Sequence, residues 1–567
     1  MNKKKILSVM VAAALVSSTA LIGCGDKKTN GNATKDGDKE KETVKMDKEQ
    51  YMNLNLGTDP KTLDPSIATD VYSSFLLTET MECLTRLEQD KTGKDVIQPG
   101  AAEKWEHNEE GTKWTFHLRD LKWSDGKPVT AGDFVYSVQR TLNPKTGAGY
   151  ANILYTIKNG KAVNEGKAAP ETVGIKAIDD KTLEITLEAP CPYFFQLTYN
   201  KTLVPQRKDI VEKYGAKHGA DAGTMVYCGP FVLNSWTHNS EIVLEKNKDY
   251  WDKDSVNLEK VNCKIIKDEQ AAYNSLYNGS LDYAGASKKE WIDKFDQTGK
   301  FNKVQGYKPA GSYTFFNTKD KLFSNVNVRK AFSVGIDRKD LCNVIFKGRQ
   351  EPAVGWIPPT VLVGDKEFRK VAGKPIDELV NENPDPKALL VKGLKELGMD
   401  EDPTKLTVTF LQAGTDQWFR TYAEYLQQMY KRTLGVNVKA EYVDWGVFLK
   451  RTDEGKYSLA SMSMSGDYND PNTFLDGFIS ATAYVPTFWK NEEYDKLTIE
   501  AQNIMDSEKR LENYKKAEEI LLRDEAVVAP TGFPTRNTYV YKYVKGLMLP
   551  LFGSAELKHA YTDGRTK

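Results

Sequence analysis

The sequence predicts a mixed α/β fold built from large lobes, and three observations carry that prediction. Segments of alternating polar and apolar residues recur along the chain, helical patterns lie between them, and one strand–helix–strand unit is complete within 405–443. A length of 567 residues allows two to four domain-sized units.

The strands come first. Trp114, Phe116 and Leu118 alternate with Lys113, Thr115 and His117, and Leu183, Ile185 and Leu187 alternate with Thr182, Glu184 and Thr186. Leu406, Val408 and Phe410 alternate with Lys405, Thr407 and Thr409. Each is the pattern of a strand with one face in a core. Thr130 is placed to cap a helix carrying Val135, Val138 and Leu142, stopped by Asn143-Pro144. Asp385-Pro386 opens another, with Leu390, Leu394 and Leu397 on one face and Gly398 as its stop. In the third unit a strand from Leu406 to Leu411 leads to a helix carrying Tyr422, Leu426, Met429 and Leu434. Gly435 then precedes a strand from Val436 to Val443. That order favours parallel pairing with a right-handed crossover.

The amino terminus is set apart. Lys3, Lys4 and Lys5 precede an uncharged run from Ile6 to Ile22, shorter than the roughly 20 residues of a spanning helix. The run ends Leu21-Ile22-Gly23-Cys24, which resembles the lipobox of bacterial lipoproteins, whose cysteine is diacylated and becomes the new amino terminus. Residues 1–23 are therefore expected to be a signal peptide and Cys24 a lipid anchor. The stretch that follows mixes lysines, acids and glycines without an aromatic, so 24–47 is expected to be a disordered tether.

Composition excludes several classes. Lys+Arg and Asp+Glu are both 79, so the basic excess of a general nucleic-acid binder is absent. Apart from Cys24 the cysteines are Cys83, Cys191, Cys228, Cys263 and Cys342, with no C-x-x-C spacing for a zinc ribbon or redox pair. None of the five histidines forms H-E-x-x-H, no Gly-Lys pair is followed by Ser or Thr, and neither G-x-S-x-G nor G-x-G-x-x-G occurs. Ser124-Asp125-Gly126-Lys127 and Lys145-Thr146-Gly147 imitate motifs of penicillin-binding proteins. Pro128 biases Lys127 away from helix, however, and the third motif is missing, so a turn is the better account. No catalytic residue, metal or cofactor is expected. Asp467-Tyr468-Asn469-Asp470-Pro471 concentrates polar groups, and on residue types alone a turn before proline is the simplest reading.

Several segments together resemble the oligopeptide-binding proteins of bacterial ABC importers, extracellular solute-binding family 5. They are GTDPKTLDP (57–65), AAEKW (101–105), LRDLKWSDGKPVTAGD (118–133), GPF (229–231), NKDYW (247–251), NVRKAF (327–332), IDR (336–338) and DYNDP (467–471). They fall in the family's order and cover nearly the whole mature chain. The resemblance implies a two-lobed, periplasmic-binding-protein-like fold of type II, with an additional domain found in peptide binders and a ligand cleft between the lobes. Lobe I is then expected over 48–82, 206–341 and 535–567, the extra domain over 83–205, and the other lobe over 342–534.

The implied function is that of an extracytoplasmic subunit that binds oligopeptides and delivers them to a permease driven by ATPase subunits. It is expected to act as a monomer held on a Gram-positive-type membrane only by its lipid. By the same resemblance Asp467, following Gly466, pairs with the peptide's α-ammonium, a group that needs both a countercharge and acceptors when buried. Thr69, Asp70 and Val71 align with a segment that contacts ligand backbone, and Tyr150, Asn317 and Trp445 align with pocket positions. For Trp445 plain core is the competing reading. Ser461 and Thr452 stand where enteric members carry arginines that meet the peptide carboxylate, with Arg451 one step away. Asp70 replaces a small residue, and its charge is expected to favour a basic ligand. Binders of dipeptides, metal chelates or haem, and pheromone receptors, share the fold; a secreted peptidase is the reading from another class.

Overall fold

A computed structural model describes residues 46–90 and 93–565. The signal segment and Cys24 lie outside the described residues.

Three sheets organise the chain. In the first, Tyr51–Asn55 runs parallel to Lys260–Lys264, which pairs antiparallel with Glu241–Lys246 and through it with Phe231–Thr237. The second is antiparallel and follows the predicted alternation. Lys113–Leu118 pairs with Ala102–His107 on one side and with Thr182–Thr186 on the other, so Trp114, Phe116, Leu183 and Ile185 share a buried face. The two sheets share one continuous apolar core, from Leu54 and Val261 to Phe116 and Leu183.

The third sheet has eight strands, and its spine is Val528–Tyr541. One half of this strand pairs with Ala310–Phe316, and the other half with Phe301–Tyr307. Beyond Ala310–Phe316 come Leu459–Ser465, Thr407–Ala413 and Asn437–Val443. The last two are parallel and are joined by the helix Gln417–Leu434, which ends at Gly435 with φ +81°. This is the predicted crossover unit, displaced by a residue or two. Neighbouring residues face opposite ways, so Phe315, Leu411 and Ala460 enter one core while Phe316, Phe410 and Leu459 enter another.

These cores place the boundary of the second lobe earlier than the motifs predicted. Residues 310–341 are expected in lobe I from the motifs, but Tyr313 and Phe315 pack with Trp356 and Phe448, and Phe332 packs with Leu426 and Tyr430. The chain passes between lobes at 308–309, between the strand Phe301–Tyr307 and the strand Ala310–Phe316, and returns within Val528–Tyr541. The reason is strand pairing across hundreds of residues, which no local pattern announces.

Local signals behave as read. Thr130 and Asp133 form a reciprocal capping box on the helix Ala131–Leu142, and the Asp385 carboxylate accepts from Ala388 N–H at the start of Pro386–Glu396. Ser124–Lys127 is a tight turn: Gly126, φ +81°, donates to Trp123 O, and Lys127 pairs with Asp209. Cys83, Cys191, Cys228, Cys263 and Cys342 are all buried and unpaired.

Candidate functional site

The C-terminal ends of Thr407–Ala413, Asn437–Val443 and Leu459–Ser465 and the N-terminal end of Ala310–Phe316 meet at one edge of the large sheet. There a cavity of about 590 Å³ opens between the two lobes. Gly285, Ala286 and Ser287 line it from one side, Phe346, Arg349 and Trp418 from the other, and Lys308, Pro309 and Pro534 at the crossings.

Gly466 and Asp467 follow directly on the end of Leu459–Ser465, beside Pro309, which lines this cavity. The Gly466 N–H donates to Pro309 O at 2.8 Å. A Cβ on Gly466 would lie 2.6 Å from the Phe474 ring and 3.0 Å from that of Phe552, so only glycine fits. Asp467 donates its N–H to Thr473 Oγ1 at 3.0 Å, while its carboxylate has no hydrogen-bond or ion-pair partner among the described residues. Its neighbour Asp470 contrasts with it, being buried and held by Arg510 Nη2 at 2.9 and 2.7 Å. The motif thus holds one carboxylate that builds the fold and one that is free.

Desolvation raises the Asp467 pKa, against the pull of Lys201. Behind it, burial lifts Asp476 to about 6 despite a 2.9 Å hydrogen bond from Tyr484 Oη, with Asp467 adding to the rise. Lys201 is the cation whose charge acts on Asp467. It is buried, its Nζ donates to Ala68 O, and it lies 5.2 Å from the centre of the Tyr150 ring. Desolvation brings its pKa down to about 8, although Asp70, Asp467 and Asp64 all favour its charged form. Tyr150 is half-buried, and its own pKa is raised by desolvation and by Asp467.

Thr69 and Val71 are exposed, and the Thr69 methyl lies against Gly149, beside Tyr150. Asp70 has a different task. Its carboxylate accepts from Tyr72 N–H, Ser73 N–H and Ser73 Oγ–H, capping the helix Val71–Thr80, so its charge is spent on the fold. Trp445 is 55% exposed and stacks on Phe448, which removes the plain-core reading. Asn317 is not at the cleft. Ala310 pairs with Ser465 at the cleft end, whereas Phe316 pairs with Leu459, placing Asn317 about 20 Å away at the far end of the strand. There it is buried, donating to Gly455 O and Tyr457 O.

Ser461 and Thr452 bond within the fold, to Thr314 and to helix carbonyls, and Arg451 pairs with Glu441 at 2.9 Å. The cavity instead offers Lys308 and Arg349, neither in an ion pair among the described residues. Sequence reading missed these two and Lys201. Each is a lone basic residue in a chain rich in them, and only the crossing at 308–309 would have pointed to Lys308.

Fold and cleft together define a two-lobed solute-binding protein. A family model for bacterial extracellular solute-binding proteins, family 5 (middle), matches residues 96–485, and the chain belongs to that family. It is 35% identical over 562 residues to the dipeptide-binding protein DppE of Bacillus subtilis, covering 98% of this chain and 99% of that one. It is 35% identical over 563 residues to the oligopeptide-binding protein OppA of the same organism, covering 98% of each. Listeria monocytogenes OppA bound to peptide superposes with a TM-score of 0.73 at 31% identity, over 91% of this chain and 99% of that one.

Proposed function

We propose that this protein is the peptide-binding subunit of an ABC importer, held on the outer face of a Gram-positive-type membrane by lipid on Cys24, and acting as a monomer. It binds an extended peptide in the interlobe cleft and presents it to a permease with its ATPase subunits. It is not an enzyme. The observation that carries the reading is the free carboxylate of Asp467, just past the strand end Ser465 and next to Gly466, which bonds Pro309 of the cavity wall: a countercharge for an α-ammonium. Peptide binding by relatives aligned over nearly the whole chain supports it.

In this reading the Thr69–Val71 segment, with Thr69 and Val71 exposed, meets ligand backbone, Tyr150 and Trp445 wall the cleft, and Lys308 and Arg349 take the peptide carboxylate. Main-chain hydrogen bonds supply affinity without reading sequence, and water in the roomy cavity tolerates varied side chains. The chain crossings at 308–309 and within Val528–Tyr541 act as the hinge on which the lobes, with the 83–205 domain, close.

Protein purified from its own cells is expected to carry peptides with free amino termini, identified by mass spectrometry. X-ray scattering is expected to give a smaller radius of gyration when a peptide pool is added to emptied protein. Cys24→Ala is expected to move the protein from the membrane to the soluble fraction. Non-peptide cargo, or an unchanged scattering profile, contradicts the peptide reading, and a membrane-bound Cys24→Ala contradicts the anchor.

A further inference from the structure

We infer that Lys201 forms an anion subsite at the Asp467 end of the cleft, which selects peptides whose first residue carries a carboxylate. The inference rests on the peptide reading above and assigns that site's preference.

The argument begins with the unmet donors of Lys201. An ammonium has three N–H groups. Here one goes to Ala68 O, one face lies over the Tyr150 ring, and no carboxylate is within ion-pair distance among the described residues. A buried cation is ordinarily paired, because the water it has lost must be replaced. The carboxylates whose charge it feels are Asp70, Asp467 and Asp64. Asp70 is committed to its helix cap. Asp64 is held by Arg140 at 2.6 Å and lies 3.2 Å from His218 Nδ1. Asp467 alone is free, and in the peptide complex it is taken by the α-ammonium.

Binding therefore removes from Lys201 the one carboxylate that was available to it and brings a second cation close by. A neutral or basic first side chain leaves that repulsion standing. An aspartate or glutamate side chain answers it, spanning from the α-ammonium at Asp467 to the ammonium beside Tyr150. The remaining charged groups at this end, Asp476 with Tyr484, lie on the Asp467 side and add to its pull on the amino terminus. The cleft end is thus bipolar, acid on one wall and base on the other, and it fits a first residue bearing both charges. This reverses the preference for basic ligands expected from Asp70.

Calorimetry with Glu-Ala-Ala, Gln-Ala-Ala, Lys-Ala-Ala and Ala-Ala-Ala tests the inference on the intact protein. Glu-Ala-Ala is expected to bind about tenfold or more tightly than its isostere Gln-Ala-Ala, the difference carried by one charge-assisted hydrogen bond. Lys-Ala-Ala is expected to be the weakest. In Lys201→Met the Glu-over-Gln preference disappears while Ala-Ala-Ala still binds. Equal binding of Glu-Ala-Ala and Gln-Ala-Ala by the unmodified protein overturns the subsite and leaves the peptide reading intact, whether or not the variant folds. A preference that survives in Lys201→Met assigns it to another residue and overturns the role of Lys201. Failure of all four peptides to bind overturns the peptide reading itself.

Discussion

Arg510 Nη2 bridges both carboxylate oxygens of Asp470, at 2.9 and 2.7 Å, in a pocket closed to solvent and three residues from the free carboxylate of Asp467. The Asp470 carboxylate also accepts from Asn472 N–H, and Arg510 Nε donates to Ala501 O. The pair thus ties the loop that carries Asp467 to the helix Ser507–Glu519. Removing one partner leaves the other charged and buried, which costs roughly 3–5 kcal/mol. Arg510→Met is expected to lower unfolding free energy by about that amount, measured by chemical denaturation. Asp467→Asn, which breaks no bond of the fold, is expected to leave stability unchanged. A loss shared equally by both variants would mean that the two carboxylates do the same work.

Asp64 and Arg140 make the second prediction. Arg140 donates to both carboxylate oxygens at 2.6 Å and to Gln206, joining the 57–65 segment to the helix Ala131–Leu142. Burial works against the charged carboxylate, but the hydrogen bonds from Arg140, with His218 Nδ1 3.2 Å away, outweigh it and hold the pKa down at about 2. A lowered carboxylate pKa stabilises the fold above the unfolded pKa near 4, and that contribution is lost as pH falls through about 2. Its size is on the order of 2–3 kcal/mol. Denaturation at pH 6 and pH 3 is therefore expected to show a large penalty for Asp64→Asn at the higher pH and a reduced one at the lower. A penalty equal at both pH values would assign the effect to packing.

Glu79 has the opposite sign. It is fully buried, with Oε1 accepting from Leu557 N–H at 3.0 Å and Oε2 without a partner among the described residues. Burial, reinforced by the nearby Glu556, pushes its pKa well above the usual carboxylate range, and Arg86 only partly compensates. The folded protein thus keeps a proton that the unfolded chain releases, so stability falls as pH rises above the unfolded value. Glu79→Gln keeps the shape and the Leu557 bond but has no proton to lose. Relative to the unmodified protein, the variant is expected to gain stability between pH 5 and pH 8. A stability difference that stays constant over that interval would show that Glu79 does not titrate differently in the two states.

The sequence and the structure agree where the physics is local. The alternation at Trp114–Leu118, the cap at Thr130 and the stop at Gly435 are each decided within a few residues, so each was legible. Family motifs led to Asp467, but residue types alone did not separate it from Asp470. Their difference lies in Arg510, forty residues on in the chain. Asn317 was placed in the cleft because motif position says nothing about strand direction, and Ala310–Phe316 runs away from the site. Lys201 was invisible because its meaning comes from burial beside Ala68 and Tyr150, two segments it does not neighbour in sequence.

The last prediction concerns Asp467 itself. If its carboxylate holds the peptide's α-ammonium in a cleft closed to water, deleting that charge strands the ammonium. Truncating one member of such a pair costs roughly 2–5 kcal/mol. At about 1.4 kcal/mol per decade, that is a loss of about thirty- to several-thousand-fold in affinity. Asp467→Asn keeps the shape and one acceptor, so it isolates the ionic part, and the free carboxylate in the empty protein means that no internal bond is broken with it. An N-acetylated peptide removes the other half of the pair and is expected to bind the unmodified protein as poorly as the free peptide binds the variant. The two losses are not expected to add, because both remove one interaction. Calorimetry on the four protein–ligand combinations reads this directly. Equal binding of free and acetylated peptide by the unmodified protein would leave Asp467 as a turn residue ahead of Pro471, and the α-ammonium would have to be held elsewhere in the cleft.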